Sequence, residues 1–206
     1  MSDRKKTVED RLAQFAPGVE PGWKRDFQKA GLSYPPETVT LVACKQERFL
    51  EVWAAEKKGG FRKLREYPFT AFSGILGPKL REGDRQIPEG IYPVESLNPN
   101  SRFHLALRIG YPNEFDREQG LRDGRSRLGG DIMIHGKAVT IGCIPLGDTA
   151  IEELFVLAAR TGVEKMRVII SPVDFRRTEL PPQMSPVPDW ADELYSRIRK
   201  ELDQYR

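Results

Sequence analysis

A chain of 206 residues and 23.5 kDa exceeds one average domain of ~100–200 residues and falls well short of two, so a single domain with terminal extensions is expected. With 39% hydrophobic residues, 18 Gly and 16 Pro, low-complexity, collagen-like and fibrous classes are excluded. The 33 basic and 30 acidic residues are interspersed and leave a net charge of +3, so no clustered basic face points to nucleic acid.

The charged start, Met1 to Lys6, leads into Thr7-Val8-Glu9-Asp10 without an apolar stretch or a small-residue cleavage site, so no secretory signal is visible. Leu12, Phe15, Trp23 and Phe27, interrupted by Pro17-Gly18 and Pro21-Gly22, predict two short helical pieces and a turn in an N-terminal arm, residues 1–37. From Thr38 the period changes. Val39 to Cys44 and Arg48 to Trp53 are β-rich runs joined by Lys45-Gln46-Glu47, and Phe61 to Tyr67 and Phe69 to Phe72 continue a β-meander. Gly74 to Gly90 is rich in Gly, Pro and charge. Ile91 to Val94 and Phe103 to Ile109 read as strands, Tyr111 to Gly130 as a long loop, and Asp131 to His135 and Ala138 to Ile141 as two more β-prone runs.

Thr149-Ala150-Ile151-Glu152 has the capping-box pattern for a helix that carries Ile151, Leu154, Phe155 and Ala158 on one face and stops at Gly162. Within it, Leu154 to Ala159 is the longest uninterrupted apolar run, far below the ~18 residues of a membrane helix, so no membrane span is expected. Met166 to Ser171 reads as a last strand. A C-terminal helix with Trp190, Leu194, Ile198 and Leu202 follows, with Asp189 as its N-cap. The pattern predicts a mostly β, mostly antiparallel α+β domain over residues 38–172, with one central helix and a C-terminal helical extension over 173–206.

The chemistry concentrates in Ile132-Met133-Ile134-His135-Gly136-Lys137-Ala138-Val139-Thr140-Ile141-Gly142-Cys143. It holds one of the two histidines and one of the two cysteines of the chain. A thiolate is the reactive form of cysteine, and a neighbouring imidazolium lowers the pKa that otherwise limits it, so Cys143 and His135 are a candidate nucleophile and base. Eight extended residues span about 26 Å at ~3.3 Å each, so the pair requires a chain that folds back. A two-residue Gly136-Lys137 hairpin leaves Cys143 roughly 16 Å away, and an irregular closed loop with Gly136 and Gly142 as permissive points is expected instead. A helix starting at Thr149 is too distant for its dipole to act on Cys143, so the thiolate should rest on His135.

The other cysteine and histidine read as packing residues, Cys44 in an alternating strand and His104 between Phe103 and Leu105. Two cysteines far apart make neither a disulfide scaffold nor a zinc site, so no metal or cofactor is expected. A papain-like protease fits poorly, because its histidine lies far downstream of its cysteine and here His135 comes first.

His135-Gly136 followed by Thr140-x-Gly142-Cys143 resembles the active-site motif of the YkuD-type L,D-transpeptidases, cysteine enzymes that remodel peptidoglycan. The resemblance extends to the YafK-like branch through Gly77-Pro78-Lys79, Arg81-x-Gly83-Asp84, Ile87-Pro88-Glu89-Gly90 and Gly110-Tyr111-Pro112-Asn113-x-x-Asp116-Arg117, in that order, over Val39 to Ser171. It implies an L,D-transpeptidase catalytic-domain-like β-sandwich. Cys143 would be the acylated nucleophile and His135 the base, with backbone N–H groups of Gly142 and Cys143 as oxyanion donors. Gly136, Thr140, Ile141, Lys79, Arg81, Asn113 and Arg117 would contact substrate.

Two positions depart from the broad family. Where it has a second histidine before Gly-Cys and an arginine two residues after the cysteine, this chain has Ile141 and Pro145. A replacement cation for the substrate carboxylate is therefore sought in Lys79, Arg81 or Arg117. The implied partner is a peptidoglycan stem peptide, attacked at a diaminopimelate or D-amino-acid carbonyl. The acyl-enzyme would pass to an amine in a transpeptidase, or to water in an L,D-carboxypeptidase or in an amidase releasing a protein or residue attached to the stem. A non-catalytic peptidoglycan-binding module is the alternative of another class. The resemblance also implies the periplasm or cell envelope, so an export segment is expected to have been removed and Met1 added.

Overall fold

Residues 4–182 and 185–206 are described by the structure, a computed structural model; Met1 to Asp3, part of the charged start, lie outside them. Val8–Ala30 form one continuous helix, α1, rather than two pieces. Proline removes a helix N–H, which usually breaks the ladder. Here Pro17 and Pro21 orphan the carbonyls of Ala13 and Pro17, and all three residues lie on the exposed face where water can serve those carbonyls. A Thr7–Asp10 capping box starts α1, and Gly31 at φ +71° ends it. On its other face Trp23 and Phe27 are fully buried.

Eight strands follow the order β3-β2-β1-β8-β4-β5-β6-β7. They are β1 (Thr38–Cys44), β2 (Phe49–Ala55), β3 (Arg62–Pro68), β4 (Gly90–Ser101), β5 (His104–Ile109), β6 (Met133–His135), β7 (Ile144–Pro145) and β8 (Met166–Ser171). Pairing is antiparallel except between β1 and β8 and between β6 and β7. The 12-residue β4 joins two halves: its first residues pair with β8, and the remainder, past register shifts, pairs with β5. Such irregularities bend a strand and let one sheet curl over a core. The result is the α+β architecture expected.

The central strands are apolar on both faces because both are covered. Val39, Leu41 and Ala43 face a core that also holds Trp23, Phe27 and Phe155, whereas Val42, Cys44 and Ile169 face the C-terminal helix α4 (Ala191–Leu202) through Leu194, Ile198 and Leu202. Cys44 is fully buried there, as its strand context indicated. The helix α3 (Asp148–Thr161) docks on α1, with the Trp23 indole donating to the Glu153 carbonyl at 2.9 Å.

Five local expectations are corrected. Phe69 to Phe72 is not a strand, because Phe69 N–H goes to Arg48 O and Thr70 N–H to Pro145 O, which carries the chain from beside the start of β2 to β7. The long loop from Tyr111 contains a helix, α2 (Glu114–Arg122), opened by an Asn113–Asp116 capping box but lacking an apolar stripe. Ala138 to Ile141 pairs with nothing and leaves Val139 54% and Ile141 79% exposed. The α3 helix starts at Asp148 behind Gly147, with no side-chain cap from Thr149. Trp190, not Asp189, precedes α4, again without a side-chain cap.

One buried ion pair fixes the segment that approaches the site. Lys45, wholly inaccessible, donates to Glu89 at 2.8 Å and to the carbonyls of Gly77 and Ile87. Glu89 also accepts from Gly77 N–H and Tyr195 O–H. Every ammonium proton has an acceptor, which is the condition for burying such a charge without a large penalty.

Candidate active site

The short parallel pair of β6 and β7 sets the histidine and the cysteine on one strand face. Ile134 sits opposite Ile144 and His135 opposite Pro145, and both isoleucines are fully buried. Side chains alternate along a strand, so His135 faces away from that core. Cys143, one residue before Ile144, comes level with Met133 on the His135 face, which implies a Cα separation of about 8 Å from strand spacing and rise. The connection closes on itself, turning through Lys137 at φ +59° and Gly142 at φ +129°. Gly142 is required twice over: a side chain at that φ is strained, and a Cβ would lie 3.1 Å from Gln86 O. Gly136 has no space either, since a Cβ there would meet Asp148 Oδ1 at 2.6 Å and Phe103 O at 2.7 Å.

The imidazole is fixed by its own neighbour. His135 Nδ1 lies 2.6 Å from Gly136 O. A carbonyl only accepts, so Nδ1 carries the proton and Nε2 keeps a lone pair that can take one. Phe103 stacks on the ring at 4.6 Å and 28°. His135 is 1% exposed, and burial pushes its pKa below the ordinary value, with the Gly136 hydrogen bond opposing.

Cys143 is half-buried, and its Sγ lies 3.7 Å from Asp131 O. Burial pushes the thiol pKa up, a hydrogen bond with the Met133 backbone lowers it, Asp131 raises it and Lys79 lowers it. Both directions run toward the uncharged forms, a thiol and an imidazole. Such a site suits general-base activation during attack. The N–H groups of Gly142 and Cys143 both point at Thr140 Oγ1, at 3.2 and 2.9 Å, and that hydroxyl donates to Cys143 O at 2.7 Å.

The remaining expected contacts separate. His135, Gly136, Thr140, Ile141, Gly142 and Cys143 share this loop, with Ile141 on its exposed rim. Lys79 is close enough for its charge to act on Cys143, but its ammonium is held by Asp84 at 2.6 Å and by Arg81 O. Arg81 is exposed and lines a hollow with Pro78, Leu80, Asp84, Gln86 and Arg125 that includes neither His135 nor Cys143. Asn113 spends its side chain on the α2 cap and on Ile91 O. Arg117 is exposed on α2.

Sequence reasoning missed the supports. Asp131, ion-paired with Arg108 at 2.7 Å, presents the carbonyl facing the thiol. Asp84 gathers Lys79, Leu80 N, Arg81 N and Gln86 N. The Gly83-Asp84 pair stood in the sequence only within the motif that carries the resemblance, and nothing local marked Phe103 as a partner of His135.

Comparison with known proteins places these features in context. The YkuD family, described as the L,D-transpeptidase catalytic domain, matches residues 39–170. The protein named "Putative L,D-transpeptidase YafK" of Escherichia coli (strain K12) is 38% identical over 147 residues, 68% of this chain and 56% of that protein; the YafK of strain O157:H7 matches equally. The chain thus spans a little over half the length of these curated relatives. Among solved structures, the helical cell shape determining protein Pgp2 from Campylobacter jejuni superposes with a TM-score of 0.55 at 24% identity, over 81% of this chain and 56% of that one. A point variant of it gives 0.56 at 21% identity, over 96% and 61%. At these identities the likeness is one of fold.

Proposed function

The chain belongs to the L,D-transpeptidase catalytic domain family, and from that premise we propose that it forms an acyl-enzyme at Cys143 with a peptidoglycan stem peptide, His135 serving as base. The observation that carries this reading is the His135 imidazole, held by Gly136 O with Nε2 left as an acceptor, on the strand face that Cys143 shares. We place the catalytic unit in residues 38–172, flanked by arms 1–37 and 173–206, and its place of work in the periplasm or cell envelope where the substrate is.

As Sγ attacks the carbonyl carbon of a diaminopimelate residue, its proton passes to His135 Nε2. The carbonyl oxygen becomes an oxyanion that takes the N–H groups of Gly142 and Cys143 in place of the Thr140 hydroxyl. The imidazolium then gives its proton to the departing amine, which leaves a thioester on Cys143. An incoming amine, deprotonated by His135, regenerates the thiol and forms a cross-link. If water enters instead, the same intermediate gives an L,D-carboxypeptidase, or an amidase that frees a protein or residue from the stem. Incubation with purified muropeptides and mass spectrometry of the products tests the proposal. Cross-linked, trimmed or released products that vanish in Cys143→Ala support it, and products that persist in Cys143→Ala defeat it.

A further inference from the structure

Both ends of the segment 77–87 are tied to one buried charge. The segment contains neither helix nor strand, so no ladder holds its backbone and its shape rests on side chains. Lys45, directly after β1, donates to Gly77 O at 2.8 Å, to Ile87 O at 3.0 Å and to Glu89 Oε1 at 2.8 Å. Glu89 completes the tie: Oε1 accepts Gly77 N–H at 2.8 Å, Oε2 accepts Tyr195 O–H at 2.8 Å, and its carbonyl accepts Tyr92 O–H at 2.9 Å. Tyr195 lies on α4, so the C-terminal extension reaches the same cluster.

The far end of this segment stands against the active-site loop. Gln86 O lies 3.1 Å from the Cβ position of Gly142, so it packs on the Gly142 backbone whose N–H goes to Thr140 Oγ1. Ile87 O, which Lys45 holds, belongs to the very next peptide. Gln86 is fixed from two other directions, its N–H by Asp84 Oδ1 at 3.0 Å and its side-chain oxygen by Ile75 N–H at 2.8 Å. An ammonium gathers two carbonyls and a carboxylate at one point, which an apolar side chain cannot do. A buried ion pair is, by contrast, weak evidence for stability, since apolar residues often serve as well or better.

Resting on the acyl-enzyme reading above, we propose that Lys45, with Glu89 and Tyr195, is a positioning residue for acyl transfer: it clamps residues 77–87 so that Gln86 O sets the Gly142 backbone whose N–H takes the oxyanion. The action is on backbone geometry. The charges that act on the thiol are those of Asp131 and Lys79, and Lys45 is matched by Glu89. The C-terminal extension thereby contributes to turnover through Tyr195.

The test sets muropeptide turnover beside alkylation of Cys143 by iodoacetamide, followed at that residue by mass spectrometry. Alkylation forms the Sγ–carbon bond as iodide leaves a saturated carbon, so no oxyanion develops and the donors are not used. Acylation needs them. Lys45→Met/Glu89→Gln removes both charges and keeps an acceptor for Gly77 N–H. Tyr195→Phe removes one hydrogen bond and no charge, and carries the test if the double variant fails to fold. The double variant should lose about ten- to a hundredfold in kcat, with KM and the alkylation rate within about twofold of the parent. Tyr195→Phe should show the same split at about threefold in kcat. Unchanged kcat in either folded variant, or alkylation slowed as much as turnover, overturns the positioning role and leaves the acyl-enzyme standing. Turnover that persists in Cys143→Ala overturns both.

Discussion

The hydroxyl of Thr140 accepts the Cys143 N–H at 2.9 Å and donates to the Cys143 carbonyl at 2.7 Å, so one side chain closes a ring around the Cys143 backbone. It also receives the Gly142 N–H, and so holds in place the backbone whose N–H groups are proposed to take the oxyanion once substrate displaces the hydroxyl. Donors carried on a backbone fixed before the reaction are where much of the rate in acyl transfer originates. Thr140→Val keeps the shape and removes the hydroxyl. It should lower kcat by about ten- to a hundredfold with little change in KM, while Thr140→Ser stays within about threefold of the parent. Equal kcat for all three proteins would show that the hydroxyl does not set the donors.

Cys143→Ala should abolish turnover and leave thermal unfolding unchanged, because the half-buried thiol packs no core. His135→Ala should cost about 10²–10⁴ in kcat and be accompanied by a modest loss of stability from the space left beside Phe103. Cys44→Ser is the control. Its thiol is fully buried between β1 and α4, so the exchange should lower the unfolding midpoint while the folded protein keeps its specific activity. A folded Cys44→Ser protein without activity would show that the wrong cysteine carries the chemistry.

The pH dependence follows from the directions of the two shifts. Burial lowers the His135 pKa below its ordinary 6.5 and raises that of Cys143 above its ordinary 9.0. Only neutral imidazole can accept the thiol proton. The kcat/KM profile should therefore rise with pH through a value below 6.5 and stay level through neutrality. Alkylation of Cys143 by iodoacetamide, which reports the thiolate, should keep rising above pH 9. An alkylation midpoint below pH 7 would mean a preformed imidazolium–thiolate pair.

What could be read from the chain depended on whether a signal was local. His135, Gly136, Gly142 and Cys143 lie within nine residues, so residue type and order marked a candidate site, and the need for a closed loop followed from reach alone. The turn chemistry was less visible. Nothing in Lys137 announces its positive φ, because Asp148 and Thr70 hold its backbone from other segments. Pro17 and Pro21 suggested a break that α1 avoids by turning them to solvent. The α2 helix escaped notice since its hold on the fold is polar, and its start is marked only by the Asn113-x-x-Asp116 capping box.

That capping box supplies a stability test. Asp116 is 7% exposed, and burial pushes its carboxyl from 3.8 up to about 6, against hydrogen bonds from Asn113 N–H and Tyr92 O–H and the charges of Arg117 and Arg125. Between those two values the folded protein holds a proton that the unfolded chain has released. Stability from this group is thus complete below pH 3.8, falls as pH rises through about 6, and stays reduced above it. Asn at this position cannot ionise, yet its carbonyl oxygen can still accept the Asn113 N–H. Asp116→Asn should therefore unfold at higher urea than the parent at pH 8, by about 1–3 kcal/mol, with the gap narrowing toward pH 4. A gap of the same size at both pH values would place the benefit in packing, and a loss at pH 8 would show that the charged carboxylate is needed at the start of α2, where an anion complements the helix dipole.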